Sequence, residues 1–266
     1  MTKKALPPSI SIFFPCYNDR GTIATLVGNA YTTLASLTGR PEVIVVDDGS
    51  TDGARELLIR LKQSTYPDLR LVFHEKNYGY GAALASGFAH AKGTLIAYTD
   101  GDGQYDIREL PRLLSLMNGD VSFVNGIKEE RHDPPIRVIL GNLYKFIARW
   151  MFWLPIIDVD CDFRLIKRSI AKSIHLTTTS GAVCVCLVKK AQRLGAVFAE
   201  VTVSHYPRFH GQSQFFTIPR LIHTLAEYLL LFVRLMVLGR SANSIKRMPI
   251  RQTRQIREQL SRKSED

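Results

Sequence analysis

Two acidic residues that stand two positions apart form the pattern with the clearest chemical use. Asp100 and Asp102 directly follow the apolar segment TLIAYT, in the run DGDGQ that ends at Gln104. Carboxylates at positions i and i+2 are hard oxygen ligands that suit Mg²⁺ or Mn²⁺. A divalent cation held there would bridge a diphosphate and neutralise its charge as it leaves. The pattern alone leaves a second interpretation open, a polar turn without a metal.

A second pair of carboxylates, Asp47 and Asp48, follows another apolar segment, EVIVV. Adjacent carboxylates at the end of a strand can accept hydrogen bonds from ribose hydroxyls or from a base N–H. The same run also predicts a turn, with Ser50, Thr51 or Asp52 as the N-cap of a following helix. The two interpretations are compatible with each other.

Spaced glycines lead into a predicted helix in the segment KNYGYGAALASG, residues 76–87. They match the G-x-G-x-x-G pattern of dinucleotide folds only loosely. That pattern belongs after the first strand, with an acidic residue about 20 positions further on. The segment therefore does not predict a Rossmann dinucleotide site. The glycines instead indicate a close approach of the backbone to a ligand.

The elements that must position these residues alternate between strand-like and helix-like segments through the first half of the chain. This order predicts one α/β domain with a mostly parallel, twisted sheet and helices on both faces. Ligands of such sheets bind beyond the carboxyl ends of the strands, so the tips PCYND, DDGSTDG and DGDGQ should converge. The predicted strands are Ser9–Phe14, Glu42–Val46, Leu69–Phe73, Thr94–Thr99 and Val121–Val124, and the predicted helices are Thr22–Leu37, Ala54–Gln63, Gly81–Ala91 and Ile107–Met117.

Two apolar helices are predicted in the second half, over Ile136–Leu154 and Arg220–Leu238. The first has a basic face opposite an apolar face that carries Trp150 and Trp153, so it either docks on the sheet or lies on a membrane surface. The second is apolar except for one narrow polar stripe. Such a helix must be buried in an oligomer, packed on the domain or placed in the lipid interface.

The composition bounds the class of protein. The chain has 266 residues and a net charge of +11, which favours anionic partners. Its last 27 residues, 240–266, carry eight Lys/Arg and three Asp/Glu; this tail is either attracted to an anionic bilayer or simply solvated. The four cysteines show no C-x-x-C spacing, which predicts reduced thiols and no zinc site. The sequence predicts neither a signal peptide nor an ordinary spanning helix.

Six motifs together resemble the family 2 glycosyltransferases, in the branch of the polyprenyl-phosphate (dolichol-phosphate mannose synthase-like) sugar synthases. They are FFPCYND, VVDDGSTDG, KNYGYGAALASGF, YTDGDGQYD, DVDCDFRL and SHYPRFHGQSQF, and the resemblance covers roughly residues 9–239. The chain departs from the family pattern at two places. Asn18-Asp19 replaces Asn-Glu, and the run from Asp160 to Arg164 stands where many relatives have Ser-Gly-Phe-Arg.

The resemblance implies a GT-A fold that uses a nucleotide-diphosphate sugar and a divalent cation, Mg²⁺ or Mn²⁺. It implies the following site residues: Pro15, Tyr17, Asp19, Asp47, Asp48, Lys76, Asp100 and Gly101 for the nucleotide sugar; Asp100, Asp102 and Gln104 for the metal; Arg131, Arg137, Arg208 and Ser213 for phosphate groups of the acceptor or donor; and Asp162 or Asp158 as the catalytic carboxylate.

The expected function is that of an inverting sugar transferase whose acceptor is a polyprenyl phosphate. It would act as a peripheral protein on the cytosolic face of a membrane, and a homo-oligomer is an open alternative. The expected organisation is a GT-A domain over 1–213 that includes helix 136–154, an apolar helix over 214–239 and a basic tail over 240–266. A soluble or glycan acceptor is the alternative within this enzyme class. A nucleic-acid-binding protein is the distant alternative, which the lack of aromatic residues interleaved with Lys/Arg disfavours.

Overall fold

The computed structural model describes residues 8–39, 41–129, 148–208 and 218–240, with side chains in the last range from residue 223 to 239. Three of the predicted phosphate-binding residues, Arg131, Arg137 and Ser213, lie outside the described residues. So do most of the predicted helix 136–154 and the tail beyond residue 240.

A seven-stranded mixed sheet forms the centre of the protein. Its strand order is β3-β2-β1-β4-β6-β5-β7, and β6 runs antiparallel to both of its neighbours while all other pairs are parallel. The four strands β3, β2, β1 and β4 bring their carboxyl ends to one edge. The strands are β1 Ile10–Cys16, β2 Glu42–Asp47, β3 Arg70–Phe73, β4 Leu95–Tyr98, β5 Val121–Lys128, β6 Arg164–Lys167 and β7 Val197–Val203.

Eight α-helices accompany the sheet in the described part of the chain. They are α1 Ile23–Leu37, α2 Ala54–Ser64, α3 Tyr80–His90, α4 Leu110–Leu116, α5 148–152, α6 Arg168–Ser173, α7 Val183–Arg193 and α8 Ile218–Phe232. A π-helical turn, Val233–Val237, and a 3₁₀ turn, Leu238–Arg240, continue α8. Every strand and helix predicted in the first half of the chain is confirmed, whereas β6, β7, α6 and α7 were not predicted.

The side chains of β1 divide the core into two layers, one on each face of the sheet. Ile10, Ile12 and Phe14 pack with α1, α2 and α4, whereas Phe13 packs with α3, α7 and α8. This alternation follows from the period of two along a strand. Both faces are covered by helices, as the fold prediction required.

Helix α8 has one face on the domain and one face in solvent. Its buried side is formed by Tyr228, Leu231 and, in the following turn, Leu235 and Met236. Rings of Tyr228 and Phe232 contact Phe152 of α5 edge to face, at 5.9 Å between centroids. Within the described ranges, no helix is long and apolar enough to cross a membrane.

All four cysteines are buried, and none forms a disulfide. Burial raises the pKa of the Cys161 thiol to about 12, and it raises the pKa values of Cys16 and Cys184 well above their usual range. These three thiols are therefore protonated at neutral pH, which makes them poor nucleophiles.

The tight contact between α3 and the segment 178–180 makes a first prediction. A Cβ atom on Gly81 would lie 1.9 Å from the Thr178 carbonyl oxygen. We expect Gly81→Ala to lower the free energy of unfolding by about 1–3 kcal/mol, because backbone must move to relieve the overlap. Gly39→Ala is the control, since nothing lies within 4 Å of its Cβ position. Urea denaturation of both variants checks this, and equal stabilities would contradict the packing.

Candidate functional site

The loops after β1 and β4 are joined at the carboxyl edge of the sheet. Gly101 donates its backbone N–H to the Pro15 carbonyl at 3.0 Å, and the Thr22 hydroxyl donates to the Gly101 carbonyl at 2.6 Å. A Cβ atom on Gly101 would lie 2.7 Å from the Pro15 carbonyl oxygen and 3.0 Å from the Asp19 carboxylate, so this close approach of the backbone requires glycine. Asp19 therefore lies beside the Asp100–Asp102 turn, as the convergence of strand tips predicts.

Both carboxylates of this turn have a hydrogen-bond donor. The Tyr80 hydroxyl donates to Asp100 at 2.6 Å, and the Arg208 guanidinium donates to Asp102 at the same distance. Burial raises the pKa of Asp100 well above its usual range, and nearby Asp162 and Asp102 raise it further. Burial also raises the pKa of Asp102, and it raises that of Asp19 to about 7. The charged forms of these carboxyls are therefore unfavourable side by side, and a bound cation would relieve that cost.

These residues fit a divalent cation that the substrate helps to hold. Among the described residues, no three His, Cys, Asp or Glu groups are placed to bind a metal by themselves. Mg²⁺ is usually bound by one or two carboxylates together with substrate phosphates, so two carboxylates suffice. Asp100 and Asp102 supply these oxygen ligands. The amide nitrogen of Gln104 donates to the Tyr206 carbonyl at 3.1 Å.

Arg208 reaches the site because its segment pairs with the loop after Asp102. The backbone N–H of Tyr206 donates to the Gln104 carbonyl at 2.8 Å, and Tyr105 and His205 form an antiparallel bridge. This pairing brings a residue 106 positions further along the chain onto Asp102. The predicted phosphate contact of Arg208 stays a prediction; the contact seen is with the predicted metal ligand.

Asp162 lies at the same edge because β6 is antiparallel and begins there. The Cys184 thiol donates to its carboxylate at 3.2 Å, and the Arg164 guanidinium lies 3.4 Å away. Its backbone N–H donates to the Tyr105 hydroxyl at 3.3 Å. Asp162 is close enough to Asp100 to raise the pKa of that group. The structure therefore brings together Asp19, Asp100, Asp102, Asp162 and Arg208.

Asp158, the other candidate for the catalytic carboxylate, has different surroundings. It is buried, and its two oxygens accept the backbone N–H groups of Asp160 at 3.2 Å and Lys128 at 3.3 Å. These contacts fix the turn that precedes β6. Asp162 is thus the better-placed of the two for contact with a substrate.

Asp47 and Asp48 bind protein groups. The Asp48 carboxylate accepts the backbone N–H groups of Tyr78 and Gly79, each at 2.9 Å, and lies 2.6 Å from His74. Asp47 forms an ion pair with the Arg55 guanidinium at 2.9 Å and accepts the Ser50 N–H. Both carboxylates therefore hold local structure, and their predicted contact with a nucleotide stays a prediction. The predicted N-cap at Ser50, Thr51 or Asp52 is wrong: Gly53 is the N-cap of α2, with no side-chain cap hydrogen bond, and Asp52 only accepts the N–H of Ala54 at 3.0 Å.

The other predicted nucleotide-binding residues surround the same edge. Pro15 is buried in β1, and Tyr17 is half-buried, with its backbone N–H on the Asp19 carboxylate at 3.0 Å. Lys76 is exposed, and its ammonium lies 5.6 Å from the centre of the Tyr78 ring. None of these contacts excludes a ligand at this edge.

Four residues that the sequence analysis did not single out also shape the site. They are Tyr80, Cys184, Arg164 and Glu200. Tyr80 stands between two glycines of the motif KNYGYGAALASGF, and this position could have predicted that its side chain lies near the site. Arg164 gave a weaker signal, as a charged residue at the start of the short strand β6. Glu200 on β7 accepts the N–H of Ile157 at 2.9 and 3.0 Å, which holds the segment before Asp158.

Glu200 gives a prediction of pH dependence. Burial raises the pKa of its carboxyl from 4.5 to about 7. The folded state therefore binds this proton more tightly than the unfolded chain, so stability falls as pH rises from about 4.5 to 7. We expect Glu200→Gln to remove this loss, which is at most about 3 kcal/mol.

Urea denaturation between pH 5 and 8 checks this expectation. The stability of the Gln variant relative to the unaltered protein should increase with pH and level off above about pH 7. Glu56→Gln, an exposed position on α2, is the control and should show no such trend. A difference that does not change with pH at position 200 would contradict the raised pKa.

Comparison with solved structures identifies the fold. Glucosyl-3-phosphoglycerate synthase from Mycobacterium tuberculosis, in a complex with Mn²⁺, UDP and glucosyl-3-phosphoglycerate, has a TM-score of 0.64 at 19% identity, over 85% of this chain and 79% of that one. Its complex with Mg²⁺ and UDP has a TM-score of 0.65 at 17% identity, with the same coverage. The chain thus has a GT-A fold, which confirms the predicted fold class.

Comparison of sequences identifies the family. The family model "Glycosyl transferase family 2" matches residues 11–174, and the chain belongs to this family. One curated relative, the undecaprenyl-phosphate 4-deoxy-4-formamido-L-arabinose transferase of Edwardsiella ictaluri, is 27% identical over 207 residues, which are 77% of this chain and 62% of the relative. The transferase of the same description from Salmonella choleraesuis is 26% identical over 218 residues, 82% of this chain and 65% of the relative. The chain therefore spans just under two thirds of the length of these relatives.

Proposed function

We propose that the chain transfers a sugar from a nucleotide-diphosphate sugar to a polyprenyl phosphate. The observation that carries this proposal is the meeting of Asp100, Asp102, Asp162 and Arg208 at one edge of the sheet. Membership of glycosyl transferase family 2 supports the donor class. The curated relatives, which are described as undecaprenyl-phosphate sugar transferases, support the acceptor class.

Asp100 and Asp102 would hold the cation, and their buried charge suits that role. When bound, Mg²⁺ or Mn²⁺ would neutralise the diphosphate as it leaves. A phosphate oxygen of the acceptor attacks the anomeric carbon while the bond to the diphosphate breaks, which inverts the configuration and releases a nucleoside diphosphate.

The acceptor needs cations more than it needs a base. A phosphate monoester is already mostly dianionic at pH 7, since its second pKa is about 6. Two anions must nevertheless approach each other. A guanidinium offers a planar pair of donors that suits phosphate oxygens, which is the role proposed for Arg208 and for Arg131 and Arg137. Asp162 would orient the sugar and the acceptor beside them.

An exposed apolar surface supports binding at a membrane. The 3.2 Å hydrogen bond from Gln192 to the Trp153 carbonyl and the contact of Arg193 with the Leu235 carbonyl join α5, α7 and α8. These elements expose large apolar side chains, which we call the apolar platform: Trp150, Trp153, Leu194, Leu225, Leu229, Leu230, Val233, Val237 and Leu238. The basic segment 240–266 follows the platform directly, so an anionic bilayer on the cytosolic side is the proposed partner.

Vesicle binding tests the apolar platform. Trp150 and Trp153 are 74% and 59% exposed, so Trp150→Glu/Trp153→Glu places its charges in water and should leave the melting temperature unchanged. We expect the variant to lose cosedimentation with anionic vesicles, because binding would force the two new carboxylates into the lipid interface.

Ile59→Glu is the control, because this exposed residue of α2 lies outside the platform. It should cosediment like the unaltered protein. Retained vesicle binding by the double variant would contradict the membrane role. A change of its sedimentation coefficient without lipid would instead indicate that the platform binds a second copy of the chain.

The proposed reaction is tested by the release of nucleoside diphosphate. UDP- and GDP-sugars are incubated with the protein and Mn²⁺, with and without undecaprenyl phosphate. The sugar of each donor carries a radioactive label. The expected result is release of nucleoside diphosphate only when the lipid phosphate is present, with the labelled sugar recovered in the organic phase. Release with a soluble glycan or sugar acceptor instead would support the alternative acceptor class. No release with either acceptor would contradict the proposal.

A further inference from the structure

One carboxylate of helix α8, that of Glu227, links this helix to the part of the site proposed to bind the nucleotide sugar. Glu227 accepts the backbone N–H of Thr179 at 3.1 Å and that of Ser180 at 2.9 Å. It also accepts the Thr179 hydroxyl at 3.3 Å. These three hydrogen bonds fix the position of residues 179–180 relative to α8. Glu227 is the one acidic residue of this largely apolar helix.

The segment held by Glu227 in turn sets the start of α3. The Gly81 N–H donates to the Thr179 carbonyl at 3.1 Å. A Cβ atom on Gly79 would lie 2.6 Å from that same carbonyl oxygen, so the two backbones are in direct contact. Asp48 holds the same turn from the opposite side through the Gly79 N–H. Residue 80 therefore cannot shift without the segment 178–180.

Tyr80 links the start of α3 to the Asp100–Asp102 turn. Its hydroxyl donates to Asp100 at 2.6 Å, a short hydrogen bond to a carboxylate. The bond fixes which oxygen of Asp100 faces Tyr80 and which one faces the site. Three successive contacts thus join Glu227 on α8 to Asp100: Glu227 to Thr179, Thr179 to Gly81, and Tyr80 to Asp100.

We propose that Glu227 is a positioning residue that orients Asp100, through Thr179 and Tyr80, for the donor's diphosphate and its cation. This inference rests on the proposed function. It makes α8 part of the donor site as well as the carrier of much of the apolar platform. A helix that contacts lipid on one face would then support nucleotide binding from the other.

The first test is a double-mutant cycle read by nucleotide affinity. Glu227→Gln keeps the size of the side chain but turns its amide group toward one of the two N–H donors. Tyr80→Phe removes only the hydroxyl. The Kd of UDP with Mn²⁺, and in parallel that of GDP with Mn²⁺, is measured by calorimetry without lipid. We expect each single variant to weaken binding about 5–10-fold, as for the loss of one typical hydrogen bond.

The double variant separates positioning from general structural support. Consecutive links of one path give non-additive effects, so the double variant should bind about as weakly as the weaker single variant. Ala226→Ser is the control, since it alters the exposed face of α8 outside the apolar platform and should leave the Kd unchanged. An unchanged Kd in Glu227→Gln, or additive effects in the double variant, would overturn the proposal.

The second test uses amide hydrogen exchange in the nucleotide-free protein. Glu227→Gln should accelerate exchange at Thr179, Ser180 and Gly81, whereas Ala226→Ser should not. Faster exchange at residues 179–180 alone, without any change at Gly81, would show that Glu227 does not affect the start of α3 and would overturn the inference. If neither nucleotide binds the unaltered protein, the proposed function fails, and this measurement still decides whether Glu227 holds the start of α3.

Discussion

Asp102→Asn is expected to reduce sugar transfer about 10²–10³-fold while the protein stays folded. The change removes an anionic ligand from the proposed cation site, and a cation supplies several kcal/mol of charge stabilisation in such a reaction. Asparagine has the same size, and its carbonyl oxygen can still accept the Arg208 guanidinium that now binds Asp102 at 2.6 Å. Initial rates at saturating Mn²⁺, together with thermal unfolding, check both parts of this expectation.

The matched control for this variant is Asp120→Asn, an exposed carboxylate in the turn before β5. It should retain full activity. Adding EDTA to the unaltered protein should reproduce the loss seen in Asp102→Asn, and added Mg²⁺ or Mn²⁺ should restore the rate. Full turnover in EDTA would contradict the cation site, whatever the behaviour of the variant.

Arg164→Met is expected to lower the free energy of unfolding by about 3–5 kcal/mol, because it removes one partner of a buried charged network. Arg164 is fully buried. Its guanidinium donates to Asn125 at 2.9 Å, to the Tyr98 hydroxyl at 2.5 Å and to the Val159 carbonyl at 2.6 Å. Methionine fills a similar volume but removes the donor of these three acceptors and the positive charge beside Asp162.

Urea denaturation of Arg164→Met and Arg168→Met, side by side, provides the measurement. Arg168 is four residues away and exposed, and its guanidinium donates to the Lys92 carbonyl. The loss at position 168 should be within about 0.5 kcal/mol, as for most surface changes. A loss below 1 kcal/mol at position 164 would mean that the buried network contributes little to stability.

The parallel half of the sheet could be predicted because its signals are local. Strands β1 and β2 are buried on both faces and therefore appear as continuous apolar runs. Polar residues follow the carboxyl ends of the strands, such as Asp48 after β2 and Asp100 after β4. The alternation with amphipathic helices then fixes the class of fold. The convergence of Asp19 and Asp100 follows from this topology alone, without any knowledge of side-chain contacts.

The second half was harder because its elements carry mixed signals. Strand β6 has only four residues, Arg164–Lys167, and places a fully buried arginine among apolar residues. Helix α7, Val183–Arg193, begins with the β-branched alternation VCVC, which favours a strand, and tertiary packing overrides that preference. The contact of Arg208 with Asp102 depends on pairing between two loops distant in sequence, for which no local pattern exists.

The burial of every cysteine has a practical consequence for fluorescence studies. Cys16, Cys161, Cys184 and Cys186 are shielded from solvent, and thiol reagents attack the exposed thiolate. A single thiol introduced by Trp153→Cys would therefore be the site at which a polarity-sensitive dye attaches. Cys184, whose thiol donates to Asp162, can stay in place during such work. Lipid contact at the apolar platform can then be measured as a shift in the emission wavelength of the dye, in a chain that keeps all of its native thiols.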